Sequence, residues 1–510
     1  MADHSSFPAE ADIVVVGGGS AGGAVAGVLA ENPKLDVALL EAGPDYGPKD
    51  SGRWPEDLLD AATMAMVSHD WGYTGKVRGK TVAFNRARVM GGCSAHNAGA
   101  AVLGSRTDYD DWAAAGNPGW STDDLLPVIA SVWKRLGVRA VSTDNLTPFQ
   151  EASMDAMVAG GIPAVEDFNN LDETIGVAPF PISIAEDGTR TSSPFAYVDP
   201  VRDEPNVAVA GDAQVERVLL DGTRVTGLLV RTGDGEEIQI ETPRVVLSGG
   251  AYGTPAILLR SGIGPAEHLA EVGIDLRHEL SGVGENLHDQ PSLEIDYSGT
   301  DELRTVMTAY ATDRWRPDEQ VIGKYPSEGC TRGFDSHIYP IGGRNPMQRD
   351  EWRWTVAAAV LTPHSRGFVR LTGPTSDSPL LIDHRYLSDP EGEDLRRLVA
   401  IAERIREIVK HPALARLLGA ETYPGASVEG HAALTNFVSE SAVHYYHPAG
   451  SCKMGPSSDP LAVVGADGAV HGLQGLYVAD ASIMPAVISG NTNIPTVVIG
   501  EKIGRELAAA

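Results

Sequence analysis

The chain has 510 residues, 42% of them hydrophobic and 21% charged, which is enough apolar material for two or three domains with a large core. Against 40 Lys and Arg stand 69 Asp and Glu, and a formal net charge of -29 argues against a phosphate backbone or an anionic membrane surface as partner. No apolar run reaches the roughly 20 residues that span a bilayer, and the start MADHSSFPAEAD lacks a basic stretch followed by an apolar core, so a cytoplasmic protein is expected. Only Cys93, Cys330 and Cys452 occur, without C-x-x-C spacing, so neither a disulfide framework nor a dithiol couple is expected. Redox chemistry in this chain has to come from a bound cofactor, and no metal site is predicted.

The β-branched run Asp12 to Val16 predicts a strand, followed by the glycine turn Gly17-Gly18-Gly19-Ser20-Ala21-Gly22, an Ala-rich helix over Gly23 to Glu31 and a second strand over Val37 to Leu40. That order is a βαβ unit with a right-handed crossover and a parallel sheet. Val215 to Leu220, a turn at Asp221-Gly222, Val225 to Arg231, Gly233-Asp234-Gly235 and Glu237 to Ile240 predict a meander of hairpins. Arg244 to Ala251 repeats the strand-then-glycine pattern before a helix candidate at Pro255 to Arg260, so the nucleotide-binding domain is expected to be discontinuous. Ser292 to Asp383 mixes strand-like stretches, among them Trp354 to Leu361 and Gly367 to Leu371, with polar loops, and Gly392 to Val409 reads as an amphipathic helix. The expected division is a nucleotide domain of residues 1–150, 201–291 and 441–510 and a substrate domain of residues 151–200 and 292–440.

In the fingerprint G-x-G-x-x-G, Gly17 permits the tight turn, Gly19 admits a pyrophosphate to the backbone, and Gly22 lets helix pack on strand. Ser20 and Ala21 lie in the glycine turn, before the helix whose N-terminus would carry the phosphates. Glu41, 24 residues after Gly17 and at the end of the second strand, is placed to accept hydrogen bonds from ribose hydroxyls, with Ala42 beside it. Its carboxylate would repel a 2′-phosphate, which argues against NADP. Between NAD and FAD the fingerprint alone does not decide.

The segments ARVMGGCSAHNAG, LLRSGIGPAEHLAEVGI, GVGENLHDQP, YYHPAGSCKMG, GLYVADASIMP and SGNTNIPTVVIGEKIG, together with the glycine fingerprint, resemble the glucose-methanol-choline oxidoreductases along nearly the whole chain. The resemblance implies an α/β fold with a Rossmann-like FAD-binding domain and a discontinuous α+β substrate-binding domain. It implies FAD as cofactor, lined by Arg88, Val89, Gly91, Asn97, Val215, Asp480, Ala481 and Asn493, with the aromatic Trp71 at the adenine end. It also puts His96 where the choline-oxidising members join a histidine covalently to the flavin. A satisfied loop histidine is the other reading of that position.

Oxidising an alcohol with a flavin requires a base for the hydroxyl proton and a donor for the alkoxide. Histidine, with an unperturbed pKa of ~6.5, suits the first, and His447 in Tyr445-Tyr446-His447-Pro448 resembles the family's base-bearing segment. Asn491 aligns with the family's second position, and an amide donor cannot be lost by titration. His444 reads as a supporting or core histidine pointing to the opposite strand face. The carboxylate of the choline-oxidising members aligns with Ser292, and a choline-binding histidine aligns with Thr362, with His364 two residues on; both replacements argue against choline. In Ser292-Leu293-Glu294-Ile295-Asp296 the polar side chains share one face, which fits either a cationic or polyhydroxy substrate or a solvated strand.

The expected activity is oxidation of a primary alcohol, benzylic, heteroaromatic or otherwise polar, to an aldehyde, with O2 or another acceptor reoxidising the flavin. Oligomeric state is left open. Two other readings stand beside it. An NAD-dependent dehydrogenase leaves the segments around His447 and Asn491 without a purpose, and a lyase of the same fold would keep FAD only as a structural element.

Overall fold

The structure, a computed structural model, describes residues 7–509 apart from 63, 66, 78, 173–174, 312–316 and 345–350; of the expected block Ser292 to Asp383, residues 312–316 and 345–350 thus lie outside the described residues. Its first sheet is parallel and five-stranded, in the order Leu476–Val478, Val245–Leu247, Ile13–Val16, Val37–Leu40, Val207–Ala210. Val14 pairs with both Val245 and Ala38, at the centre of the sheet. The three inner strands are buried at every residue, which is why they read as continuous apolar runs and not as alternating ones.

The first helix runs Ser20–Ala30 and packs against the last, Asn493–Ala509. Their N-termini meet where Ser20 Oγ donates to Asn493 Oδ1 at 2.8 Å. The turn between strand and helix is held by close contacts. Gly17 has φ +100°, and a Cβ on it would lie 2.5 Å from Ser248 O, while a Cβ on Gly22 would lie 1.8 Å from Gly17 O. The crowding follows from the tight turn, because the strand carrying Ser248 and the helix N-terminus converge on the same backbone.

The first helix begins at Ser20 and not at Gly23, and the strand expected over Trp354 to Leu361 runs Trp352–Val360; two further differences have a local physical reason. The hairpin strands are Ala213–Asp221 and Arg224–Thr232, with Asp221 opposite Arg224, so the turn is Gly222-Thr223 and not Asp221-Gly222; Gly222, at φ +58°, takes the left-handed position. The helix expected from Pro255 begins earlier and runs Gly250–Arg260 with Pro255 inside it. Proline cannot donate to the carbonyl of Ala251, and Ser451 Oγ donates to that oxygen instead at 2.6 Å, which removes the usual objection to proline there.

The second sheet is antiparallel and has seven strands, four of which matter for the site: Pro291–Gly299, Trp352–Val360, Ser336–Arg344 and Val321–Tyr325, adjacent in that order. Its residues alternate. Leu293, Ile295, Val356, Ala358 and Val360 pack with Leu398, Ile401 and Ile405 of the Glu393–Ile408 helix, while Tyr339, Ala357 and Ala359 belong to the cluster on the other face. That helix is the expected amphipathic one, with Gly392 at φ +68° before its first turn. Among the described residues no helix is long and apolar enough to cross a membrane.

The Gly22 contact predicts that Gly22→Ala lowers stability by about 1–3 kcal/mol or more, because the added methyl meets backbone and not a movable side chain. Thermal denaturation against the unmodified protein measures it, and an unchanged Tm would show that the turn can open.

Candidate active site

A cavity of about 890 Å³ is bounded by the C-terminal ends of the parallel strands and by the alternating face of the antiparallel sheet. Of the residues singled out in the sequence, Gly17, Gly19, Ser20, Ala21, Glu41, Ala42, Trp71, His96, Asn97, Val215, Asp480, Ala481, Asn493, His447 and Asn491 border it. Gly22, Arg88, Val89 and Gly91 do not. Gly22 and Val89 are packed behind the wall, the Gly91 N–H donates to Gly18 O at 2.8 Å, and the Arg88 guanidinium lies 4.9 Å from the Trp71 ring while donating to Ala42 O and Gln214 Oε1.

At the glycine end, the Ser20–Ala30 helix has no side-chain cap on its N-terminus, which borders the cavity. A Cβ on Gly19 would meet nothing closer than Gly92 Cα at 3.8 Å, so no packing in the protein itself requires glycine there. Bare N–H groups at a helix start with open space before them are what a pyrophosphate needs. Both oxygens of Glu41 accept backbone hydrogen bonds, from Gly18 and Gly43 at 2.9 Å each, and burial pushes its carboxyl up to about 7. Asp480 accepts from the Gly250 and Ser482 amides and from Thr254 Oγ1, and so fixes the loop that closes this end. His96 is buried, its Nε2 has no hydrogen-bond partner among the described residues, and burial lowers its pKa to about 4. An uncapped helix start, a bare glycine, a buried carboxylate at the end of the second strand and a buried imidazole nitrogen without a partner among the described residues all fit FAD.

His447 is fixed by neighbours that the sequence did not single out. Gln290 Nε2 donates to Leu361 O at 3.0 Å and to Ile488 O at 2.8 Å, which turns its Oε1 toward His447 Nδ1 at 2.6 Å. An acceptor there requires the proton on Nδ1, so Nε2 is left with the free lone pair. That Nε2 lies 3.5 Å from Asn491 Nδ2. Burial, then the charge of Arg86, then His444 lower the His447 pKa to about 3. The backbone N–H of His447 donates to Asp289 Oδ1 at 3.0 Å, and burial raises that carboxyl to about 6. Gln290 and Asp289 were legible only as members of GVGENLHDQP.

His444 does not border the cavity; its Nε2 donates to Ala83 O at 3.1 Å. The strand-parity argument for it does not reach His447, since the strand is only Val443–His444 and Tyr446 takes φ +64°. Ser292 spends its hydroxyl on His444 O at 2.9 Å. Thr362 and His364 border a separate pocket of about 300 Å³. Glu294, by contrast, borders the large cavity and holds Arg353 at 2.5 Å.

Residues 11–292 and 363–500 match the N-terminal and C-terminal sequence profiles of the GMC oxidoreductases. The chain is 34% identical to choline oxidase of Arthrobacter globiformis, covering 97% of this chain and 93% of that one. It is 31% identical to oxygen-dependent choline dehydrogenase 1 of Chromohalobacter salexigens over 97% and 94%. Among solved structures, pyridoxine 4-oxidase from Mesorbium loti superposes with a TM-score of 0.87 at 28% identity, covering 98% of this chain and 99% of that one. A fungal aryl-alcohol oxidase shares the fold at a TM-score of 0.81 and 22% identity, over 99% of both chains. The chain belongs to the GMC oxidoreductase family, and it is an FAD-dependent oxidoreductase. This sets aside the NAD-dependent reading.

Since a Cβ on Gly19 would meet only Gly92 Cα, at 3.8 Å, Gly19→Val is expected to leave the fold intact and abolish FAD binding. Circular dichroism with flavin absorbance of the purified protein tests both halves, and full flavin occupancy in the variant would remove the phosphates from this helix start.

Proposed function

We propose that this enzyme oxidises a primary alcohol to an aldehyde, with His447 removing the hydroxyl proton and Asn491 holding the oxygen. The observation that carries the reading is the free Nε2 of His447 facing Asn491 Nδ2 inside the cavity. FAD, when bound, supplies the hydride acceptor, and O2 or another acceptor reoxidises it.

The residues divide the work in a definite order. The substrate hydroxyl donates to His447 Nε2 and accepts from the amide of Asn491, whose Oδ1 is buried and without a partner among the described residues. As the proton moves to Nε2, negative charge grows on the substrate oxygen, where the Asn491 N–H is already aimed. The imidazolium that forms is held by its Nδ1–H bond to Gln290 Oε1. Because burial keeps His447 neutral down to about pH 3, the base form is present throughout the ordinary working range.

His447→Ala is expected to slow anaerobic flavin reduction by ~10²–10⁴ and Asn491→Ala by ~10²–10³, with FAD retained in both. Stopped-flow bleaching with an alcohol that the parent enzyme oxidises measures this; an unchanged rate in His447→Ala would overturn the assignment. A lyase would show no bleaching at all.

We also propose that His96 carries FAD covalently through Nε2, supported by that atom's burial without a partner. Acid precipitation is then expected to leave the yellow colour in the pellet, and His96→Ala to release FAD into the supernatant. Free FAD from the unmodified protein would show that the bond is absent.

A further inference from the structure

The pocket of about 300 Å³ that Thr362 and His364 border is also lined by Arg332, Arg366 and Arg397, the last on the Glu393–Ile408 helix. Ala486 and Val487 form part of its wall, and Asp108, which lines it too, accepts from the N–H and the hydroxyl of Ser489 at 2.7 and 2.9 Å. The pocket therefore lies behind the loop that carries Asn491, and it shares no lining residue with the large cavity.

Asp108, Asp111 and Asp335 bring negative charge to the same pocket, but their oxygens are committed. Asp335 accepts from the N–H and hydroxyl of Ser327 and from Ser336 Oγ. Asp108 accepts from Ser105 N–H as well as from Ser489, and it holds Arg332 Nη2 at 3.0 Å, while Asp111 lies 3.4 Å from Nη1 of the same arginine. The other two guanidinium groups are not committed in this way. Arg366 donates from Nε to Asn286 Oδ1 and from Nη1 to Pro363 O and Ser365 O, all neutral acceptors, and among the described residues its Nη2 has no acceptor and it makes no ion pair. Asp394, whose charge reaches Arg366, spends its own oxygens on the N–H groups of His364 and Ser365 and on the Ser365 hydroxyl. Arg397 makes two long contacts, from Nη1 to Thr362 O and Oγ1 at 3.4 Å each; its Nε is buried without a hydrogen-bond partner among the described residues, 3.6 Å from Glu393 and 3.8 Å from Asp335.

A guanidinium withdrawn from bulk water with N–H groups unused gains most from a ligand that brings both negative charge and two or more acceptor oxygens. We propose that this pocket is a second binding site, for a small oxyanion, phosphate or carboxylate, held by the guanidinium groups of Arg366 and Arg397. A halide does not span a guanidinium fork with two acceptors, and a cation meets like charge on both arginines. The site stands independently of the alcohol-oxidation reading.

Calorimetric titration of the FAD-loaded enzyme with sodium phosphate and with sodium acetate tests it, at an ionic strength held constant with sodium chloride so that chloride is the competitor. Saturable binding is expected with half-saturation at about 1 mM; saturation by phosphate alone assigns a phosphate-bearing ligand, and by acetate alone a carboxylate. Arg397→Gln, which removes no hydrogen bond shorter than 3.4 Å, should keep the fold and raise the half-saturating concentration about tenfold. Arg366→Lys, which keeps the charge and loses the fork, should weaken binding as well. Arg353→Gln, on the wall of the large cavity, should leave binding as it is in the parent. No saturation by either anion, half-saturation in either Arg397→Gln or Arg366→Lys equal to the parent's, or binding lost in Arg353→Gln overturns the site.

Discussion

The bond from His447 Nδ1 to Gln290 Oε1 is the constraint on which the site depends, because the direction of that bond is decided elsewhere. Gln290 Nε2 donates to Leu361 O, just past the end of the Trp352–Val360 strand, and to Ile488 O, three residues before Asn491. A flipped amide would set its oxygen against two carbonyls and lose both bonds, leaving buried acceptors unpaired. The tautomer of His447 is therefore fixed by backbone far from the imidazole itself. The same carboxamide ties the loop carrying Asn491 to His447, so the two side chains are held in register by one residue.

The electrostatics work in the same direction. Arg86 is half-buried beside His447, donating to Tyr446 O at 3.0 Å, and its charge adds to the effect of burial in keeping His447 neutral. Asp289 offsets part of that charge while its Oδ1 accepts the His447 amide and its Oδ2 accepts from Tyr386. Tyr446 stands between them in the left-handed region, at φ +64°, a conformation disfavoured for a large side chain. The strain turns the chain sharply enough for His447 to face the cavity while His444, three residues earlier, stays behind it.

The parts of this arrangement that sequence could show are those that local physics determines. A parallel strand buried on both faces needs a continuous β-branched run, and a tight turn onto a helix needs glycine at fixed offsets, so the order and kind of the elements from Ile13 to Leu40 were legible, although the helix begins at Ser20 and not at Gly23. The amphipathic helix Glu393–Ile408 was legible for the same reason, its period matching the helix. Pro255 misled, because its cure is a hydroxyl 196 residues away in sequence at Ser451. The sheet wall was not legible at all. Nothing in Ser292 to Asp296 says that Glu294 comes opposite Ala357 and beside Arg353, since register between strands some 60 residues apart is set by tertiary packing. For that reason Thr362 and His364, near in any alignment to a substrate-binding histidine, lie on another pocket.

This division has a consequence for how selectivity is built. The groups that would meet the cofactor and the reacting hydroxyl come from glycine turns, helix starts and the loops around His447 and Asn491, where a one-residue shift would break several backbone hydrogen bonds at once. The sheet wall is different: Glu294, Tyr339, Ile341 and Arg353 border the cavity while residues on the other face of their strands fill the core against the Glu393–Ile408 helix. Exchanging a cavity-facing side chain there leaves the core face and the strand ladder untouched. A side chain on that wall such as Glu294 can thus be exchanged without disturbing the tautomer that Gln290 enforces.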